Sequence, residues 1–228
     1  MTAEGRSLTS PTQETTRLEA AQVDRAVATL TRSFRNDPIQ RYVIPDDARR
    51  ARLQPWVLGA LVRYCLPYGE VHATPDLDGV ACWLPPGSSM TNVWGMLRSG
   101  MMLAPLRLGP VSFSRYMVLS AYMDTMRERV VSVPHWYLSA IGVEPSRQGR
   151  GIGGALLDPV LARADADRLP CYLETQSERN VRFYEKRGFK VSHTGAVRGL
   201  RIWSMLRTPR DPTTTTETQP EPPAKENA

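Results

Sequence analysis

Residues 143–157 read "VEPSRQGRGIGGALL", and the organisation of the chain turns on this stretch. An apolar strand end gives way to a basic loop, glycines cluster at positions 149, 151, 153 and 154, and an apolar helical pattern follows. Glycine lets backbone N–H groups come close to a ligand. The first turn of a helix holds N–H groups without partners, at the positive end of the helix dipole. The combination suits an anion, most often a phosphate.

On either side of this loop the pattern is regular. "HWYLSAIGV" (135–143) reads as a strand, and the loop leads into a helix over 151–167. "CYLET" (171–175) is another strand, and "SERNVRFYEKRG" (177–188) is a helix opened by an N-capping Ser177 and closed by Gly188. "FKVSHTG" (189–195) and "LRIWSML" (200–206) are the final strands. Upstream, "AAQVDRAVATLTRSF" (20–34) has Val23, Val27 and Leu30 at helical spacing and ends at Asn36-Asp37-Pro38. "DDARRARLQPWVLGALVRYCL" (46–66) reads as a helix bent or split by Pro55. "EVHATPDLDGVACWLPP" (70–86) gives two short strands around a turn.

The Met- and Leu-rich segment 89–131 shows helical periods at Val93, Met96, Leu97 and at Met117, Leu119, Met123. Core packing is the expected role of that stripe, and the lining of a flexible pocket is the alternative. Residues 1–14 and 208–228 are polar and Pro/Thr-rich, and are expected to be disordered. Residues 15–207 are expected to form one domain of α/β (α+β) class. Its sheet is mixed and mainly antiparallel, flanked by helices, with a helical insertion (88–133) between the third and fourth strands.

At 228 residues the chain can bury one sizeable core, and 41% hydrophobic with 23% charged residues is the balance of a soluble globular protein. The net charge of +6 is carried by arginine, with Lys186, Lys190 and Lys225 the only lysines. That permits a polyanionic ligand, and no nucleic-acid signature accompanies it. Cys65, Cys82 and Cys171 lack metal-ligand spacing and read as buried hydrophobes, with no metal expected. With a polar N-terminus and no apolar run of about 18 residues, a cytoplasmic protein without membrane contact is expected.

Two nucleotide motifs fail. A Walker loop needs a lysine that is absent here. Gly149-x-Gly151-x-x-Gly154 fits the dinucleotide fingerprint, with Glu174 at about the distance of a ribose-binding acid. Against it, residues 144–148 separate strand from glycine, too few strands follow, and the upstream chain is not βαβ.

The better match is Gln148-x-x-Gly151-x-Gly153 after a strand ending Ile141-Gly142-Val143, with Asn180 and Tyr184 downstream. This pattern resembles the GNAT superfamily of N-acetyltransferases. "HWYLSAIGVEPSRQGRGIGGALLDPV" and "PCYLETQSERNVRFYEKRGF" resemble its puromycin N-acetyltransferase branch more specifically, over about 135–207. A weaker likeness covers 17–87, and 88–133 departs from the pattern.

The resemblance implies acetyl-CoA as co-substrate. Backbone amides of Gly149, Arg150, Gly151, Ile152, Gly153 and Gly154, preceded by Gln148, would hold its pyrophosphate, with Gly151 and Gly153 allowing approach and Arg147 and Arg150 assisting. The strand edge at Ile141 and Val143 would pair with the pantetheine amides, in a slot where the strand splays from 171–175. Asn180 and Tyr184, spaced i, i+4, would face the same arm, with Tyr184 as the acid that protonates sulfur. The other reading of Tyr184 is core packing beside Phe183. Glu174, a carboxylate inside an apolar strand, reads either as the base, directly or through water, or as a surface acid paired with an arginine. His135 reads as structural or as a proton relay. An oxyanion would be held by an N–H near Ile141 or Val143.

The expected function is therefore direct acetyl transfer to the primary amine of a small molecule, an antibiotic or aminonucleoside among the candidates. The alternatives are a protein or peptide N-acetyltransferase and a non-catalytic acyl-CoA sensor. A dimer is compatible with the sequence.

Overall fold

The computed structural model describes residues 14–88 and 92–210. Nearly all of the two termini expected to be disordered lies outside the described residues. Strand β1 (Thr16–Arg17) precedes helices α1 (Val23–Ser33), α2 (Pro38–Val43) and α3 (Asp47–Tyr68). Asn36-Asp37-Pro38 does more than stop α1. The Asp37 carboxylate accepts from the Gln40 N–H and Pro38 occupies the first turn, so a short helix that the sequence reading lacks begins there.

Of the bend or split expected at Pro55, the split is absent: α3 runs through it as one helix. Arg50 and Gln54 before the proline and Leu58 and Val62 after it are all buried, and that packing outweighs an interior proline cost of about 3 kcal/mol.

Strands β2 (Glu70–Ala73) and β3 (Gly79–Leu84) form the expected hairpin. The insertion follows as α4 (Val93–Ser99) and α5 (Ala104–Val130). Gly109 (φ 67°) and Pro110 kink α5, because one residue is left-handed and the next lacks an N–H. The expected core stripe holds only in part. Leu119 is buried, but Val93 is 65% and Leu97 58% exposed. The buried residues of α4 are Gly95 and Ser99 instead, and Gly95 lies close against the Tyr64 and Tyr68 rings.

The remainder follows the predicted order: β4 (Trp136–Val143), α6 (Ile152–Ala166), β5 (Cys171–Thr175), α7 (Glu178–Glu185), β6 (Lys190–Val197) and β7 (Leu200–Arg207). Ser177 stands at the start of α7, but its side chain makes no capping bond. Gly188 closes that helix at φ 88°.

The strands form one sheet of order β1-β2-β3-β4-β5-β7-β6, antiparallel everywhere except between β4 and β5. This is the expected α/β (α+β) class. α1 and α3 cover Val80, Cys82 and Leu84 on one face. Ala81, Trp83, Leu138 and Leu173 turn to the other face, where α6 and α7 pack. α2 and α5 cover Val197 and Ile202 at the β6–β7 end. All three cysteines are buried free thiols. Among the described residues no helix is long and apolar enough to cross a membrane.

Candidate active site

β4 and β5 pair only at Trp136↔Cys171, Tyr137↔Tyr172 and Leu138↔Leu173. Beyond Leu138 the strands part. On its other side β4 jumps register against β3, from Trp83↔Leu138 to Cys82↔Ala140, so Ser139 is an extra residue. Such a bulge reverses which backbone groups face which neighbour. Before it, the Trp136 N–H reaches Pro170 on the β5 side; after it, the Glu144 N–H reaches Asp78 on the β3 side. By the alternation of an antiparallel ladder, Ile141 and Val143 must then turn their N–H and C=O groups into the opening. The parting of the two strands that the family likeness implies is present, and one bulge residue sets which backbone groups line it.

Val143 is already occupied. Its N–H donates to Ser33 Oγ at 3.2 Å, and its C=O accepts from Gln148 Nε2 at 3.3 Å. Ile141 has no such partner among the described residues.

The glycines after Gln148 divide into two kinds. Gly149 (φ 81°) and Gly151 (φ 85°) are left-handed, and a methyl group built on either meets nothing within 4 Å. Their requirement is conformational. Gly153 and Gly154 instead face α7. A methyl on Gly153 would lie 3.0 Å from Phe183 Cζ, and one on Gly154 would strike the Arg187 guanidinium. Gly153 therefore serves helix contact through its Cα, while its N–H stays without an acceptor among the described residues.

Gly154 departs from expectation, because its N–H, like that of Ala155, bonds to the Gly151 carbonyl. The amides of Gly149, Arg150, Gly151, Ile152 and Gly153 have no acceptor among the described residues, which fits a pyrophosphate at the start of α6. Arg147 is held by Asp78 at 3.2 Å, while Arg150 is exposed.

Glu174 lies on β5 beside the opening, on the face of the sheet opposite Leu173. Burial pushes its carboxyl up to about 7, against the opposing pull of the Tyr137 and Tyr172 phenols and the Arg127 guanidinium. Glu174 Oε1 and the Tyr172 hydroxyl are buried without a partner in hydrogen-bond geometry among the described residues, as are Ser204 Oγ and Gln176 Nε2. Ser204 sits opposite Glu174 on β7. α5 brings Arg127 over the Tyr137 ring at 4.8 Å, with Asp124 paired to it at 2.6 Å. The surface-acid reading of Glu174 as an arginine's ion-pair partner is not what the geometry has.

Tyr184 is buried, with its ring edge-on to Phe183 (5.0 Å) and Phe189 (5.8 Å), in the apolar cluster bordered by Ile141 and Val143. Burial drives its phenol well above the ordinary range, so it keeps its proton at any physiological pH. Asn180, one turn earlier, is exposed. Leu173 shares the Tyr184 cluster and Glu174 points the other way, so the two candidate catalytic groups approach the slot from opposite faces. His135 is tied through Nδ1 to the Val133 carbonyl at 2.8 Å, with its ring 6.0 Å from that of Tyr172 and burial holding its pKa down.

Sequence reasoning missed Tyr137, Arg127, Ser33 and the bulge. The alternation that singled out Glu174 also put Tyr172 on its face, and that signal was there to be used. Nothing in the sequence brings Ser33 to Val143, which lies 110 positions away.

A family model described as Acetyltransferase (GNAT) family matches residues 113–189. An uncharacterized N-acetyltransferase of Schizosaccharomyces pombe is 28% identical over 181 residues, covering 76% of this chain and 72% of that protein. A histone acetyltransferase HPA2-related acetyltransferase from Corynebacterium glutamicum shares the fold with a TM-score of 0.59 at 22% identity, covering 87% and 97% of the two chains. An agmatine N-acetyltransferase does so with a TM-score of 0.57 at 17% identity, over 86% and 98%.

Proposed function

We propose that the chain, whose residues 113–189 match the GNAT family model, acts as an N-acetyltransferase of that superfamily and moves the acetyl group of acetyl-CoA directly to the primary amine of a small molecule. The observation that carries the proposal is Glu174, a carboxylate with a pKa of about 7 and an unpartnered oxygen, beside the point where β4 and β5 part.

An alkylamine with a pKa near 10.4 is only about 0.1% neutral at pH 7, so the site must first remove a proton. Glu174 is poised to take it, being about half ionised at neutral pH. Acetyl-CoA, when bound, supplies an acetyl thioester. The Ile141 N–H turns into the slot and is the donor for the carbonyl oxygen as it gains charge. Tyr184 gives its proton to the departing sulfur from the other face and takes up the second proton that the attacking nitrogen releases as it becomes the amide, so the phenol is restored. The C–N bond forms as the C–S bond breaks, with no covalent enzyme intermediate. The free amides from Gly149 to Gly153 are the phosphate holders. α5 sets Arg127 and Asp124 beside Glu174, which supports a compact acceptor under a helix over an open peptide groove.

The test is thiol release from acetyl-CoA against a panel of puromycin, polyamines, aminoglycosides and short lysine peptides. Turnover with one small amine, lost in Glu174→Gln, is expected. Turnover with peptides alone would replace the small-molecule acceptor by a protein one. Binding of acetyl-CoA with no turnover across the panel would favour a sensor.

A further inference from the structure

Ser33, the last residue of α1, brings its hydroxyl to the edge of β4, where it accepts the Val143 N–H at 3.2 Å. Three conditions bring the two groups together. Gly142 has no side chain, and a methyl at that position would lie 2.9 Å from both Ser33 Oγ and Leu30 Cδ2, so only glycine lets α1 come this close. Arg32 then ties the same turn of α1 to the end of β4, with Nε 2.7 Å from Glu144 Oε2. The bulge at Ser139 supplies the third condition, because without it Val143 would turn its N–H toward β3.

We infer that Ser33 is a placeholder for the amide arm of acyl-CoA: it satisfies the Val143 N–H in the free protein and gives that donor up when the arm pairs with β4. The inference rests on the acetyl-CoA reading above.

Its consequence is thermodynamic. A half-buried N–H without a partner is costly, so the Ser33 bond stabilises the free state. A ligand gains only the difference between its own contact and the one it displaces. Removing the hydroxyl raises the free state and leaves the bound state nearly as it was. Affinity should therefore rise, by about 2- to 10-fold for one ordinary hydrogen bond.

Calorimetric titration of wild type, Ser33→Ala and Ser33→Thr tests this with two ligands. One is acetyl-CoA. The other is adenosine 3′,5′-bisphosphate, which carries phosphate but no amide arm. Ser33→Ala should bind acetyl-CoA about 2- to 10-fold tighter with the bisphosphate unchanged, while Ser33→Thr, which keeps the hydroxyl, stays at the wild-type value. In the free Ser33→Ala protein the Val143 amide should exchange with deuterium faster than in wild type. Unchanged or weaker acetyl-CoA binding by Ser33→Ala overturns the inference, since the hydroxyl would then be idle or touch the ligand. If wild type itself fails to bind acetyl-CoA, the acetyltransferase reading fails first and takes this inference with it. If wild type binds and Ser33→Ala is no tighter, only the inference falls.

Discussion

Tyr137 on β4 and Tyr172 on β5 face each other one rung before their strands part, with ring centroids 6.0 Å apart and both phenols turned toward Glu174. The two rings remove water from the carboxylate and give back only part of the lost hydrogen bonding. That imbalance raises its proton affinity.

The pH dependence of activity follows directly. kcat/KM should rise with pH through about 7 as Glu174 ionises, because the carboxylate is the active form. Glu174→Gln should lose that limb and about 10²–10⁴ in rate. A pH–rate profile of both proteins checks this, and an unchanged limb in the variant would remove Glu174 from its role.

The same shift predicts a stability effect of definite sign. The folded pKa, about 7, lies above the ordinary 4.5, so the folded protein holds the proton more tightly than the unfolded chain. Burying Glu174 therefore costs little below pH 4.5, and the cost grows as pH rises toward 7. Urea denaturation should show Glu174→Gln gaining on wild type between pH 4.5 and pH 8, by roughly 1–3 kcal/mol after allowance for partial exposure. A gap that stays flat with pH would mean that the carboxyl titrates as an ordinary acid.

Tyr184→Phe keeps the ring contacts to Phe183 and Phe189 and loses only the hydroxyl. Turnover should fall by about 10²-fold or more while acetyl-CoA affinity and melting temperature stay close to wild type. Equal loss of kcat and affinity would show that the hydroxyl acts in binding.

The two kinds of glycine should separate in experiment. Gly151→Ala forces a left-handed alanine at a cost of about 1–2 kcal/mol, with no steric clash, and should weaken acetyl-CoA binding by misplacing the loop amides. Gly153→Ala meets the Phe183 ring and should lower the melting temperature by loosening α7 from α6. Titration and thermal melts of both variants decide the matter, and the reverse pattern would refute the division.

What the sequence determined by itself is local. The strand–loop–helix at 135–167, the alternation that singles out Glu174 on β5 and the i, i+4 spacing of Asn180 and Tyr184 depend on neighbours a few residues apart. Backbone geometry and side-chain period are enough to read them. The short α2 was within the same reach, because Asp37-Pro38 is an N-cap signature as well as a helix stop. Only the tertiary structure decided the rest. The bulge at Ser139 exists because β4 must pair with β3 on one side and leave β5 on the other. The pKa of Glu174 depends on Tyr137 and Arg127, which come from other elements. That a side chain on Gly153 or Gly154 would meet Phe183 or Arg187 shows only once α7 is laid against α6. Ser33 is an ordinary helix-end serine until Gly142 lets α1 close on β4. Packing brings distant positions within hydrogen-bond range, and no period in the chain encodes which ones will meet.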